Sequence, residues 1–229
     1  MPLVGPEVEL VSWRMAEPEP HGFGLRSAGD QEFLYHGAER LLPVDELRLA
    51  GRHNVANALA ALALGSAAGL PLAGMISTLR TFSGLPHRCE LVATIGGVRY
   101  VNDSKGTNIG ATEAALRGLG TGRDILLIAG GQGKGADFSG LEQAVARHCR
   151  VLLLLGEDAP LMERALSHVV PVVRVASLEE AVGEAAALAQ RGDTVLLSPA
   201  CASFDMFSGY AQRGEMFRSL VQGLAEDAQ

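Results

Sequence analysis

Three short stretches of this sequence gather the residue types that handle anions. The run Asn102-Asp103-Ser104-Lys105-Gly106-Thr107-Asn108 brings a carboxylate, an ammonium and two hydroxyls together just ahead of a segment that reads as a helix. Such a run can hold an anion with the lysine charge and the unpaired N–H groups of the helix start. The plainer reading is a capped helix with one exposed ion pair. The second stretch, Gly130-Gly131-Gln132-Gly133-Lys134-Gly135-Ala136-Asp137, resembles a phosphate loop only in its glycines. A Walker A loop needs glycine where Ile128 stands and Ser or Thr where Gly135 stands, and the G-x-G-x-x-G spacing fails at Ala136. What remains is a glycine loop that presents Lys134 to a carboxylate or a phosphate. The third stretch, Ser198-Pro199-Ala200-Cys201-Ala202-Ser203-Phe204-Asp205-Met206-Phe207, offers hydroxyls and backbone donors. It holds no G-x-S-x-G elbow, and the histidines show no H-E-x-x-H spacing, so neither a serine hydrolase nor a zinc protease is indicated and no metal ligands are assigned.

Stepping outward, each stretch follows a run of strand-forming residues. Strands are expected at Val98–Asn102, Ile125–Ala129, Val151–Leu155, Val172–Val175 and Thr194–Ser198. Helices alternate with them at Ile109–Leu116, Leu141–His148, Leu161–Leu166, Leu178–Gln190 and Phe207–Leu224. This alternation predicts an α/β fold, a Rossmann-like and mostly parallel sheet flanked by helices, with its ligand loops beyond the carboxyl ends of the strands. The first part reads differently. Short β-rich runs at Val8–Trp13, Gly24–Ser27, Glu32–Tyr35 and Arg40–Val44 predict a small antiparallel meander, followed by a helix capped by Asn54 and stopped at Gly69, and a second helix over Leu72–Phe82. The turn residues Ser83-Gly84-Leu85-Pro86 suggest a boundary, giving domains at 1–85 and 86–229.

A net charge of −7 argues against a general grip on nucleic acid, and no apolar run has the ~20 residues a membrane-crossing helix needs. Three scattered cysteines without a C-x-x-C pair fit a reducing compartment, so a cytoplasmic location is expected.

Taken in order with Gly51-Arg52-His53-Asn54-Val55-Ala56-Asn57-Ala58 and Leu85-Pro86-His87-Arg88, the three stretches resemble the Mur ligase family over essentially Met1 to Ala225. The G-G-x-G-K-x-A-D-F and S-P-A-C-A-S-x-D-x-F motifs, with Gln212-Arg213-Gly214 after them, are most similar to the branch that adds D-glutamate. The resemblance implies that ATP phosphorylates the carboxylate of UDP-N-acetylmuramoyl-L-alanine and that the amine of D-glutamate displaces phosphate, a step in making peptidoglycan precursors. It implies roles by motif position. Asn54 and Asn57 would meet adenine, Arg88 and Asp103 the ribose and phosphate region with His87 beside them, and Lys105 the transferring phosphoryl group, which makes Lys105 and His87 the expected catalytic residues. Thr107, Lys134, Ser203 and Phe204 would hold D-glutamate, with Tyr210 as an aromatic packing wall.

Against the family pattern, these residues include no G-x-x-x-x-G-K-[ST], and Gly106 stands where alanine is expected. The first part therefore reads as a remnant of a central ATP-binding domain. The expectation is that this chain alone forms no acyl phosphate and binds neither ATP nor Mg2+ tightly, and that its first part self-associates or is partly mobile. A non-catalytic ligand-binding module and a folylpolyglutamate synthetase-like ligase are the alternatives, and the Ser203 loop favours the D-glutamate branch over the latter. A nucleotide-dependent oxidoreductase lacks its glycine fingerprint.

Overall fold

The computed structural model describes residues 10–49 and 51–227. The chain divides into two compact units, Met1–Gly84 and Leu85–Gln229.

In the first unit, β1 (Phe23–Ala28), β2 (Gln31–His36) and β3 (Glu39–Pro43) form an antiparallel meander. Of the strand expected at Val8–Trp13, Val8 and Glu9 lie outside the described residues, and the rest is not a strand: Trp13 makes an isolated bridge to Phe23. Helix α1 (Arg52–Ala67) follows, then α2 (Leu72–Thr81). The cap of α1 is Gly51 rather than Asn54, which sits inside the first turn; the φ of +102° at residue 51 turns the chain into the helix as glycine readily does. The far end closes as expected. Gly69 at φ +75° donates to Ser66 O and Leu70 N–H donates to Gly65 O, the paired bonds of a Schellman stop. Phe23, Leu25, Leu34, Leu42, Val55, Leu59 and Leu62 form the core between meander and helices.

In the second unit, β4 (Glu90–Ile95) pairs antiparallel with β5 (Val98–Asn102). From β5 the chain continues through α3 (Ile109–Leu119), β6 (Ile125–Gly130), α4 (Glu142–His148), β7 (Cys149–Leu155), α5 (Ala159–Leu166), β8 (Val172–Arg174), α6 (Leu178–Leu188), β9 (Thr194–Leu197) and α7 (Tyr210–Asp227). The sheet order is β4-β5-β9-β6-β7-β8, and every pairing after β4 is parallel. Expected and observed bounds differ mainly at ends: Phe138–Leu141 is a 3-10 turn ahead of α4, and α7 starts at Tyr210 because residues 203–209 are held in turns.

The alternation of side chains assigns the two faces. Ile125, Leu127, Leu152, Leu154 and Leu196 pack with Leu116, Val145 and Met162 of α3, α4 and α5. Leu126, Ile128, Leu153, Leu155, Val195 and Leu197 pack with Val182, Phe217 and Val221 of α6 and α7. Strands buried on both faces explain why the runs ILLIAG and TVLL are continuously apolar, and each fully buried leucine or isoleucine contributes ~1.5–3 kcal/mol of transfer free energy. No helix among the described residues is long and apolar enough to cross a membrane.

Candidate functional site

Because β5, β9 and β6 are adjacent and parallel, the loops that follow them leave the sheet at one rim, and hydrogen bonds join those loops directly. Ala200 N–H donates to Gly106 O at 2.9 Å, linking the Lys105 loop to the Ser203 loop. Gly130 N–H donates to Pro199 O at 3.0 Å, and Gln132 and Ala202 exchange a reciprocal pair at 2.9 Å each, linking the Lys134 loop to the same segment. Lys105, Thr107, Lys134, Ser203 and Phe204 are thereby brought to one edge of the second unit. The two lysines among them, Lys105 and Lys134, are the only lysines in the sequence.

Strain gathers in two of these loops and in the segment ahead of β4. Among the described residues four non-glycine residues adopt left-handed φ: His87 (+64°), Cys89 (+44°), Lys134 (+54°) and Ala200 (+59°). Each such conformation costs of order 1–3 kcal/mol and persists where its surroundings fix it. Gly131 needs glycine for a further reason, because a Cβ there would lie 2.2 Å from Ala202 O.

The Lys105 loop hangs on a buried polar network. Asn102 Nδ2 donates to Gly214 O at 3.0 Å and lies 3.1 Å from His87 Nδ1, while its Oδ1 accepts from Ser104 N–H at 3.1 Å. The two amide hydrogens therefore point at Gly214 O and His87 Nδ1, which makes Nδ1 an acceptor and leaves Nε2 to face Glu215 Oε1 at 3.4 Å. Asp103 is buried, with Oδ2 accepting from Ser198 Oγ at 2.7 Å and Oδ1 from Cys89 N–H at 3.2 Å. Burial pushes its carboxyl above the usual carboxylate range, against those two hydrogen bonds and the charge of Arg88. Asp103 was assigned to a nucleotide by motif position, and in the fold its carboxylate is turned inward to brace the loop. His87, assigned as catalytic, is likewise 6% exposed with its ring engaged inside the chain.

Asn108 caps α3 by accepting from Ala111 N–H at 3.0 Å, which sets Thr107 and Lys105 beside the positive end of that helix. The Lys105 ammonium lies over the Tyr210 ring, 3.8 Å from its centroid, so this aromatic side chain is more than a wall. Lys134 and Phe204 are exposed and Ser203 is buried. Gly133 N–H, next to Lys134, donates to Asp158 Oδ2 at 2.7 Å, so the loop after β7 braces the glycine loop. Arg88 is exposed on the rim segment Leu85 to Cys89.

Asn54 and Asn57 belong to the first unit, where Asn57 Nδ2 donates to Asn54 Oδ1 at 3.4 Å. Both line an apolar cleft of about 180 Å³ with Leu47, Leu49, Ala58, Ala61, Leu79 and Phe82. Among the described residues no group of three or more His, Cys, Asp or Glu is disposed to hold a metal ion.

Arg213 went unassigned in the sequence reading. A lone arginine within a helical run reads as a solvated face, yet it is 3% exposed and bonded to two of the loops. Only its place in the Gln-Arg-Gly run marked it.

Comparison with known proteins bears on the family and the fold. Residues 87–201 match the family model described as Mur ligase, glutamate ligase domain. The chain is 52% identical over 226 residues to the UDP-N-acetylmuramoylalanine--D-glutamate ligase of Pseudomonas syringae pv. tomato, and 51% identical over 226 residues to that of Pseudomonas aeruginosa. Each alignment covers 98% of this chain and 50% of the relative, so the chain spans about half the length of the curated relatives it matches. Among solved structures, the bifunctional folylpolyglutamate synthase/dihydrofolate synthase from Yersinia pestis superposes with a TM-score of 0.63 at 17% identity, covering 87% of this chain and 45% of that one. A MurF ligase from Thermotoga maritima in complex with ADP gives 0.60 at 15% identity, covering 89% and 47%. These two show a shared fold. With the family model spanning half of its residues, this chain belongs to the Mur ligase family.

Proposed function

We propose that this chain supplies the D-glutamate site and part of the nucleotide site of an ATP-dependent ligase that joins D-glutamate to UDP-N-acetylmuramoyl-L-alanine in the cytoplasm. The observation that carries the reading is the stitching of the Lys105, Lys134 and Ser203 loops at one rim of parallel strands. D-Glutamate carries two carboxylates and one amine. Lys134, Thr107 and Ser203 suit the carboxylates, since an ammonium and hydroxyls donate hydrogen bonds to anions. Held there, the amine has its lone pair directed at an acyl phosphate: the new C–N bond forms, the C–O bond to phosphate breaks, and the nitrogen loses a proton. Lys105, beside the α3 start, suits the charge on the departing phosphoryl group. Phe204 shields the site from water.

In the first unit, the apolar cleft edged by Asn54 and Asn57 suits the adenine ring of ATP, because paired amide donors and acceptors match an adenine edge. Arg88 is assigned to the ribose and phosphates, with Asp103 and His87 bracing its segment. ATP and Mg2+ are the proposed cofactors of the whole ligase, and this chain alone is proposed to hold neither tightly. Because these residues contain no phosphate loop, they form no acyl phosphate alone. The remaining partner is a second copy, meeting the exposed apolar side of the first unit around Leu64.

Support comes from the 52% identical relative named for D-glutamate ligation; the 17% identical folylpolyglutamate synthase bears only on the fold. Saturation-transfer NMR with D-glutamate, L-glutamate and ADP tests both halves. Contact with D-glutamate in preference to L-glutamate, and separate contact through adenine protons, is expected. Equal response to both enantiomers, or none to any ligand at millimolar concentration, would overturn the assignment. Phosphate release with ATP, Mg2+ and both substrates should stay at background for these 229 residues.

A further inference from the structure

Three residues at the start of α7 reach different parts of the loop that carries Lys105. The Tyr210 carbonyl accepts from Ser104 Oγ at 2.8 Å, and the Tyr210 ring carries the Lys105 ammonium. Arg213 donates from Nε to Ser104 Oγ at 3.0 Å, and from one terminal nitrogen to Ser104 O at 2.9 Å and Cys201 O at 3.3 Å. Gly214 O accepts from Asn102 on the other side of Ser104, and its Cα abuts the His87 ring so closely that a Cβ would lie 2.3 Å from Nδ1.

Arg213 stands out because its hydrogen bonds end on a hydroxyl and two carbonyls, not on a carboxylate. Burying a cation without an ion-pair partner is costly, and a helix that only had to close over the sheet would do better with a leucine there. What the planar guanidinium adds is geometry: donors fixed in one plane span two loops that a single apolar side chain could not register. Burial draws its own acidity constant down to about 10, with Cys201 and Asp205 working the other way, so it stays charged near neutrality.

We infer that the start of α7 is the positioning device for Lys105: Arg213 fixes the Ser104 peptide against the Cys201 loop, and the Tyr210 ring holds the ammonium above it. Both are assigned to act through Lys105 and the Ser104 peptide that they contact, which makes them positioning residues. Their consequence for catalysis rests on the reading that Lys105 faces the phosphoryl group; their effect on Lys105 does not.

The two lysines make the test direct. With ε-13C-lysine the chain gives two side-chain signals, and the Lys105 methylene, stacked on an aromatic face, lies upfield of that of exposed Lys134. Tyr210→Phe keeps the ring and the upfield position, and Tyr210→Leu moves the signal to that of Lys134. Arg213→Met does the same, and Ser104→Ala, which keeps the buried charge but removes the hydroxyl that joins Arg213 Nε to the Tyr210 carbonyl, moves it part of the way in the same direction. An unmoved Lys105 signal in folded Arg213→Met, or in Ser104→Ala should Arg213→Met not fold, overturns the inference. A purely structural arginine lowers the unfolding midpoint and leaves the lysine spectrum of the folded protein as it was. An upfield Lys105 that responds to these variants in a chain that ignores D-glutamate sinks the functional reading alone.

Discussion

Replacing Gly131 by alanine should separate the steric role of the glycine loop from its flexibility. Gly131 has φ +123°, and an added Cβ would stand 2.2 Å from Ala202 O and 3.3 Å from Cys201 Cβ. The backbone conformation alone costs an L-residue ~1–3 kcal/mol. Relieving the overlap means moving the loop off Ala202, which gives up both bonds of the Gln132–Ala202 pair at ~1 kcal/mol each. The expected loss is ~3–5 kcal/mol, a large share of the 5–15 kcal/mol typical of a domain, and lowers the melting temperature by about 10 °C. Gly135 is the internal control: it has φ +77° with nothing within 4 Å of its added Cβ, so Gly135→Ala should cost only the left-handed strain, ~1–2 kcal/mol. Urea unfolding followed by far-ultraviolet circular dichroism measures both. Equal, small losses in the two variants would refute the claim that the Lys134 loop is pinned to the Ser203 loop by that backbone pair.

Three further outcomes follow from the same structure. Burial pushes all three thiols upward, Cys201 to about 12, so iodoacetamide at pH 8 should label none of them in the native protein and all three in urea; intact mass reads the result, and rapid native labelling would contradict the burial. Asp103 has its folded acidity constant raised by burial, so its contribution to stability is fully present below its unfolded value near pH ~4 and is lost as pH rises through the raised folded value. The stability of wild type relative to Asp103→Asn should therefore decline from pH 4 toward pH 7 in urea titrations, and a difference that grows over that range would reverse the sign. Asn57→Ala should weaken adenine-nucleotide binding about fivefold, the equivalent of ~1 kcal/mol for one hydrogen bond, with no change for D-glutamate.

The parallel sheet was legible because its strands, buried on both faces, are written as continuous apolar runs; Val98–Asn102 begins and ends as expected. β4 was missed although Gly96-Gly97, at φ +59° and +83°, joins two strand-forming runs as a hairpin turn does. Its residues stay partly exposed at the sheet edge, so it lacks the two-faced burial that marks the inner strands. Strand order was hidden for a different reason: β9 enters between β5 and β6 only after the chain has returned from β8, and nothing local in TVLL encodes that insertion. The site loops were readable from residue type and from their place after strands. The partners that brace them, Arg213, Asp158 and the inward-turned Asp103, were not, because polar side chains read by default as solvated and only the packed fold buries Arg213 and Asp103 and half-buries Asp158.

On the proposed function, three loops at one sheet rim form a single D-glutamate site. Amide 15N–1H spectra of the chain titrated with D-glutamate test it most directly: shifts should cluster at Thr107, Lys134 and Ser203, exceed those caused by L-glutamate, and vanish in Lys134→Ala. Shifts scattered over β1–β3, or confined to one of the three loops, would contradict it.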